Sequence, residues 1–249
     1  MPLDKSTAFI TGGGAGIGLA FAEALALRGV GVVLADRDFD VADAAAKRLR
    51  RDGGRALALS CDVADESQVQ SAVTAACQYF GGIDICINNA GKHLTKYNQP
   101  FATLGIIEFR ALMEVNVVGV VACSLATARS MRERGGGVIL NIASIAADMA
   151  ASPYGVSKLA VKGLTMALAK ELAPHRIRVN CISPGVMASP AALEDLTAEQ
   201  WQSMLDLQLV KRRGSLEDLV SAMLFLCSEE SSFVTGETLN VSGGWPLYA

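Results

Sequence analysis

The sequence has little that would hold a metal ion or a polyanion. Only two of its 249 residues are histidine, and the six cysteines (61, 77, 86, 123, 181 and 227) form no C-x-x-C pair. Without such spacing no cysteine or histidine metal centre is expected. Charged residues are 19% of the chain and the formal net charge is −3. There is no basic field for a nucleic acid or an anionic membrane to meet, so neither is expected as a partner. An even cysteine count would permit disulfides. These cysteines, however, sit beside apolar segments of a chain that is 51% hydrophobic, and they read as buried, reduced thiols of a cytoplasmic protein. Extended apolar stretches are also scarce. Val115 to Ala128 is too short to span a bilayer and holds Asn116, Ser124 and Thr127, so it reads as a buried helix. The opening MPLDKSTAFITGG is interrupted by Asp4, Lys5 and glycines and does not read as a secretory signal.

Against these absences stands a regular alternation. TAFIT (7–11), VGVVLA (30–35), ALALS (56–60), IDICIN (83–88), GVILNIA (137–143), IRVNCIS (177–183) and ETLNVS (237–242) read as strands. The first six are apolar on both faces, as a parallel sheet covered by helices requires. Helical stretches fall near 16–28, 40–52, 65–80, 106–133, 153–173 and 215–228, the first with Ile17, Phe21, Ala24 and Leu25 on one stripe. The expectation is an α/β fold: one doubly wound parallel sheet of about seven strands with helices on both faces, in a single domain, 1–249. Val186 to Lys211 interrupts the alternation. Its Leu193, Leu196, Trp201, Met204 and Leu205 suit either a lid at the carboxyl edge of the sheet or a packed surface helix.

TGGGAGIG (Thr11 to Gly18) follows the first strand and opens the first helix. Its glycines are spaced Gly12-x-x-x-Gly16-x-Gly18. They permit a tight turn and let a diphosphate approach the backbone at a helix N-terminus, which makes Thr11, Gly12, Gly14, Ala15, Gly16, Ile17 and Gly18 candidate dinucleotide contacts in a Rossmann-like domain. Asp36 ends the second strand. A carboxylate there accepts both adenosine ribose hydroxyls and repels a 2′-phosphate, although the neighbouring Arg37 would attract one. NAD is therefore expected over NADP.

SPYGVSK places Tyr154 and Lys158 one helical turn apart on a shared face. A free phenol has a pKa of about 10, and bringing it to about 7 needs roughly 4 kcal/mol. A nearby ammonium favours the phenolate, so Lys158 is expected to ease the ionisation of Tyr154. Asn116, inside an apolar helix, needs a reason for its amide. His93 follows the fourth strand, and His175 reads as a cation near the C-terminal end of its helix.

Taken together and in order, these motifs resemble the short-chain dehydrogenase/reductase family over nearly the whole chain. Thr11, Gly12, Gly16 and Gly18 match its glycine turn. Asp62-Val63, preceded by Cys61, matches a pair beside the adenine. Asn88-Asn89-Ala90-Gly91 matches a segment that steadies the central sheet and lines the cofactor, and Pro184-Gly185, with Val186 and Ser189 beyond, matches the turn beside the nicotinamide. Ser144, Tyr154, Lys158 and Asn116 match its catalytic tetrad. The resemblance implies that Tyr154 is the general acid/base, that Ser144 holds the substrate oxygen, and that Lys158 also bonds the nicotinamide ribose. It also implies a distorted helical turn at Asn116 whose carbonyl holds a water in a proton relay.

Ser189 stands where the family often has Thr, Ser242 replaces a frequent Asp, and the interval before Tyr154 is short. Ser144 precedes Tyr154 by only ten residues, so the loop between them, which normally borders the substrate, should be reshaped. Ser152 reads as the cap of the helix that Pro153 begins. What the resemblance implies is an NAD-dependent oxidoreductase interconverting a secondary alcohol and a ketone, assembled as a homotetramer, or at least a dimer, through the helices bearing Asn116 and Tyr154. A 3-oxoacyl-thioester reductase and a non-catalytic NAD-sensing protein are the alternatives.

Overall fold

Seven runs of apolar and β-branched residues become seven parallel strands: β1 (Thr7–Thr11), β2 (Gly31–Asp36), β3 (Ala56–Ser60), β4 (Ile85–Asn88), β5 (Gly137–Ile142), β6 (Ile177–Pro184) and β7 (Thr238–Val241). Their order in the sheet is β3-β2-β1-β4-β5-β6-β7, and every neighbouring pair is parallel. The structure, a computed structural model, describes residues 3–93 and 95–247. Met1, Pro2, Leu94, Tyr248 and Ala249 of the expected 1–249 domain lie outside the described residues. Strands β1, β2, β4, β5 and β6 are buried nearly throughout, as expected for a sheet covered on both faces. β3 differs from that expectation. It alternates buried and more exposed positions because it is an outer strand.

The covering helices are α1 (Gly16–Ala26), α2 (Phe39–Arg51), α3 (Glu66–Phe80), α4 (Phe101–Leu104), α5 (Ile106–Met113), α6 (Gly119–Glu133), α7 (Ala146–Met149), α8 (Pro153–Leu172), α9 (Pro190–Asp195), α10 (Ala198–Leu207) and α11 (Leu216–Cys227). On one face Phe21, Leu25, Leu49 and Met223 pack against Ile10, Leu34 and Leu140. On the other, Val69, Cys123, Met131 and Leu172 pack against Phe9, Val33 and Ile139. Each such side chain contributes about 1.5–3 kcal/mol by leaving water. The expected helix 106–133 is α5 and α6 joined through a π-helical turn, Glu114–Val118. By length and composition it could cross a membrane. Half of its most apolar window is buried inside the protein, however, and Cys123 and Met131 belong to the second core, so it is a core helix.

Topology then creates a crevice. The chain runs outward from β1 through β2 to β3, and returns to place β4 on the other side of β1. The loops leaving β1 and β4 therefore diverge at the carboxyl edge, the place where open α/β sheets bind ligands.

Candidate active site

β1 delivers the glycine loop to the crevice. Gly12 (φ +61°) and Gly16 (φ +55°) hold left-handed backbone, which glycine adopts without strain. A Cβ on Gly18 would stand 2.2 Å from the Gly12 carbonyl oxygen, so this glycine lets α1 close on the loop. The Gly16 position opens onto empty space. Ala15 offers α1 no side-chain cap, which leaves its first N–H groups suited to an anion. A dinucleotide's diphosphate fits this cradle.

Several residues expected at the cofactor also bond the loops of the crevice to one another. Thr11 is buried, and its Oγ1 accepts the N–H groups of Asn89 and Ala90, both at 3.0 Å. Asn89 Nδ2 donates to the carbonyls of Thr11 (3.0 Å) and Gly12 (3.1 Å), riveting the two loops together. Asp36 accepts the Gly14 N–H on Oδ2 (3.0 Å) and the Asp38 N–H on Oδ1 (3.1 Å), while Arg37 is exposed beside it. Cys61 N–H bonds the Asp36 carbonyl at 2.9 Å. Cys61 and Val63 are buried, and Asp62 turns back to accept the Ala64 N–H.

A cleft of about 620 Å³ runs along the edge. From the β1 and β4 loops it takes in Gly12, Ala15, Gly16, Ile17, Asn89, Ala90 and Gly91. From β5, α8 and the turn after β6 come Ser144, Tyr154, Lys158, Pro184, Gly185, Val186 and Ser189. Thr11, Gly14, Gly18, Asp36, Arg37, Cys61, Asp62 and Val63 do not line it, nor does Asn116.

Ser152 caps α8 as expected, accepting the Gly155 N–H at 3.1 Å, with Pro153 in the first turn. Lys158 is 5% exposed. Its Nζ donates to the Ile142 carbonyl at 2.8 Å and stands 5.8 Å from the centroid of the Tyr154 ring. Ser144 and Tyr154 both line the cleft despite the short interval between them, and the Ser144 hydroxyl lies near enough to the phenol to favour its ionised form. Asn116 lies in the π-helical turn, so the expected distortion is present. Its Oδ1 accepts the Lys92 N–H (2.7 Å), and its Nδ2 donates to the Lys92 carbonyl (3.0 Å) and to Ser157 Oγ (3.0 Å). Ser157, absent from the expected set, donates in turn to the Tyr154 carbonyl at 2.7 Å. Its position three residues after Tyr154 on the helix was the one signal available. Asn88 donates to Ser124 Oγ (2.9 Å) and to Asn141 Oδ1 (2.8 Å), and Asn141 donates to Thr165 Oγ1 (2.9 Å), so a buried polar chain ties β4, β5, α6 and α8 together.

The electrostatics differ from expectation in one respect. Loss of water raises the pKa of Tyr154, with the nearby Ser144 hydroxyl pulling the other way. In the protein alone burial outweighs any help from Lys158, whose ammonium is turned to the Ile142 carbonyl. Burial likewise lowers Lys158 to about 8, against an opposing pull from Cys181.

The 186–211 insertion forms α9 and α10 beside the cleft. Ala192, Leu196 and Met204 face it. Trp201 is buried beneath, with the Arg213 guanidinium 4.6 Å from its ring centroid, whereas Leu193 is exposed. Ser189, expected at the cofactor, also caps α9 by accepting the Ala192 N–H at 3.3 Å. His93 lines the cleft; His175 lies exposed in the 3-10 turn Ala173–His175, just past α8.

Comparison with known proteins agrees with this geometry. The family model described as enoyl-(acyl carrier protein) reductase matches residues 12–246. The short-chain reductase protein NovJ of Streptomyces niveus is 37% identical over 97% of this chain and 94% of its own. The 7alpha-hydroxysteroid dehydrogenase of Escherichia coli K12 is 37% identical over the same shares. A solved 7 alpha-hydroxysteroid dehydrogenase complexed with NADH and 7-oxo glycochenodeoxycholic acid aligns with a TM-score of 0.91 at 37% identity, covering 97% of this chain and 94% of that one.

Holding Lys158 near 8 instead of 10.5 costs about 3 kcal/mol at neutral pH, where it is charged in both folded and unfolded chains. Between pH 8 and 10.5 the unfolded chain binds the extra proton, so this group makes stability rise with pH through that window. Lys158→Met is expected to exceed the parent in stability by about 1–2 kcal/mol at pH 7, once loss of the Ile142 bond is set against the gain. The difference should shrink towards pH 10.5. Urea unfolding at both pH values checks this, and a variant less stable at pH 7 refutes it.

Proposed function

This chain belongs to the short-chain dehydrogenase/reductase family, and from that premise we propose that it is an NAD-dependent oxidoreductase interconverting a secondary alcohol and a ketone, with Tyr154 as general acid/base. The observation that carries this reading is the convergence of a phenol, a serine hydroxyl and a buried ammonium in the cleft that the glycine loop lines. Ser144 and Tyr154 both line that cleft, so a substrate oxygen between them is held by both hydroxyls. Tyr154 takes the alcohol proton in oxidation and returns it to the carbonyl oxygen in reduction. At about 6 Å an ammonium stabilises a phenolate by about 3 kcal/mol at an effective dielectric near 20. That is most of the roughly 4 kcal/mol that separates a pKa of 10 from 7. Bound NAD would supply the hydride acceptor and, when oxidised, a second positive charge. The remaining N–H donors of Lys158 would be available to a ribose hydroxyl of that cofactor. Asn116 and Ser157 hold the wall behind the pair.

The fixed Asp36 carboxylate supports NAD over NADP, because a 2′-phosphate would meet a charge that the backbone has already oriented. The structure of the related steroid dehydrogenase contains a 7-oxo bile-acid conjugate, which makes bulky cyclic ketones the first probes for the substrate. Residues 1–249 are read as one catalytic domain with 186–211 on its substrate side. None of the six cysteines is in a disulfide, which suits the cytoplasm. A homotetramer is favoured by exposed Ile106, Ile107, Leu125, Leu159 and Met166 on the α5–α6 and α8 surfaces, and by Phe233 and Leu239 near the β7 edge. Gly163 on α8 has nothing within 4 Å of its Cβ position, so its smallness suits a partner helix rather than the protein's own sheet.

Three outcomes are expected. Tyr154→Phe should lose about 10²–10⁴-fold in kcat while binding NADH as tightly as the parent, measured by NADH fluorescence and by turnover of a panel of secondary alcohols, cyclic ketones and a 3-oxoacyl thioester; unchanged turnover would point to a non-catalytic NAD sensor. Steady-state kinetics should give a kcat/KM at least about tenfold higher with NAD than with NADP, and the reverse order would sink the assignment. Light scattering at micromolar concentration should return a multiple of the 26.1 kDa chain mass, with a single-chain mass rejecting assembly.

A further inference from the structure

Lys162 stands one turn beyond Lys158 on α8 and pairs with Asp148 on α7, with both side chains mostly buried (14% and 15% exposed). Asp148 Oδ2 is buried with no hydrogen-bond partner, so Lys162 is what the carboxylate leans on. Helix α7 is the single turn into which the short Ser144–Tyr154 interval folds. Its first N–H, that of Ala146, donates to Ser144 Oγ at 3.2 Å, and the Ala147 N–H donates to the Ser144 carbonyl at 3.0 Å. At its other end Ala150 takes left-handed backbone (φ +46°) to turn the chain back into α8. The two helices touch so closely that a Cβ on Gly155 would lie 2.5 Å from the Ala146 carbonyl oxygen. One body therefore carries both Ser144 and Tyr154, and the ion pair closes it from the far side.

We propose that Asp148 and Lys162 are positioning residues: their ion pair clamps α7 onto α8 and so keeps the Ser144 hydroxyl on the Tyr154 phenol, doing by charge what a longer loop would do by packing. This rests on the reading of Tyr154 as the proton-transfer group. The Ser144 hydroxyl near the phenol favours the phenolate, so loosening the clamp makes Tyr154 harder to ionise. The other charged or titratable groups lining the same cleft are Lys158 on α8, Lys92 and His93 after β4, and Glu194 and Asp195 on α9.

The chain has four tyrosines. The ionisation of Tyr154 is therefore read as tyrosinate absorbance against pH, subtracting the same protein carrying Tyr154→Phe. Asp148→Ala and Lys162→Met remove charges of opposite sign. A direct electrostatic effect would move the titration in opposite directions, whereas a lost clamp moves both upward, towards the value in Ser144→Ala. The clamp predicts the second result, with Lys162→Arg titrating as the parent does and with an unchanged KM for NAD. Opposite shifts, a parent-like Asp148→Ala, or a Ser144→Ala that does not shift would overturn it. Should Asp148→Ala fail to fold, Asp148→Asn, which keeps the shape and loses the charge, takes its place with the same expectation. The titration needs no turnover. A failure of the enzymatic reading would instead appear as Tyr154→Phe retaining activity.

Discussion

An ammonium group held out of water at the carboxyl edge of a parallel sheet is the constraint around which this molecule is arranged. Lys158 has given up its hydration for one carbonyl, that of Ile142, at the end of β5. Such a group tolerates its place because the surrounding backbone is rigid and cannot relax away from it. Tyr154 shares the constraint, since its phenol is desolvated in the same wall. Neither is at its most stable in isolation. On the proposed mechanism, the pair becomes useful when an oxygen that must lose or gain a proton lies against them.

Rigidity comes from buried polar chains rather than from apolar packing alone. Asn88, Asn141 and Thr165 link the central strands to α8. Asn116 and Ser157 link the π-helical turn to the backbone of Tyr154, and Thr11 and Asn89 link the glycine loop to the end of β4. In a low-dielectric interior each such bond specifies one geometry, because breaking it strands a polar group. The cleft is therefore assembled from four loops that could drift independently but are fastened through the sheet beneath them.

Much of this was legible residue by residue. Short apolar runs alternating with amphipathic stretches located all seven strands and six of the main helices, and the glycine loop stood where a strand meets a helix. The i, i+4 spacing put Tyr154 and Lys158 on one helical face, and the family resemblance marked them as candidates for proton transfer. Other features left little trace. Ser157 looks like any helix serine until Asn116 is brought beside it from 41 positions away. Thr11 and Gly18, expected at the cofactor, and Asn116, expected in the catalytic tetrad, do not line the cleft itself. Nothing local distinguishes a glycine that faces a ligand from one that makes room for a carbonyl.

What the chain determines by itself is a pattern of local preferences: where strands and helices begin, which turns need glycine, and which helical face carries a phenol and an amine. These depend on neighbours within about one turn, so they can be read linearly. Tertiary structure alone decided that Lys158 would point at a carbonyl rather than chiefly at the phenol, that burial would raise Tyr154 instead of lowering it, and that a ten-residue interval would close into a clamped helical turn. Those outcomes depend on which distant groups exclude water from a shared volume, and desolvation is a property of the packed whole.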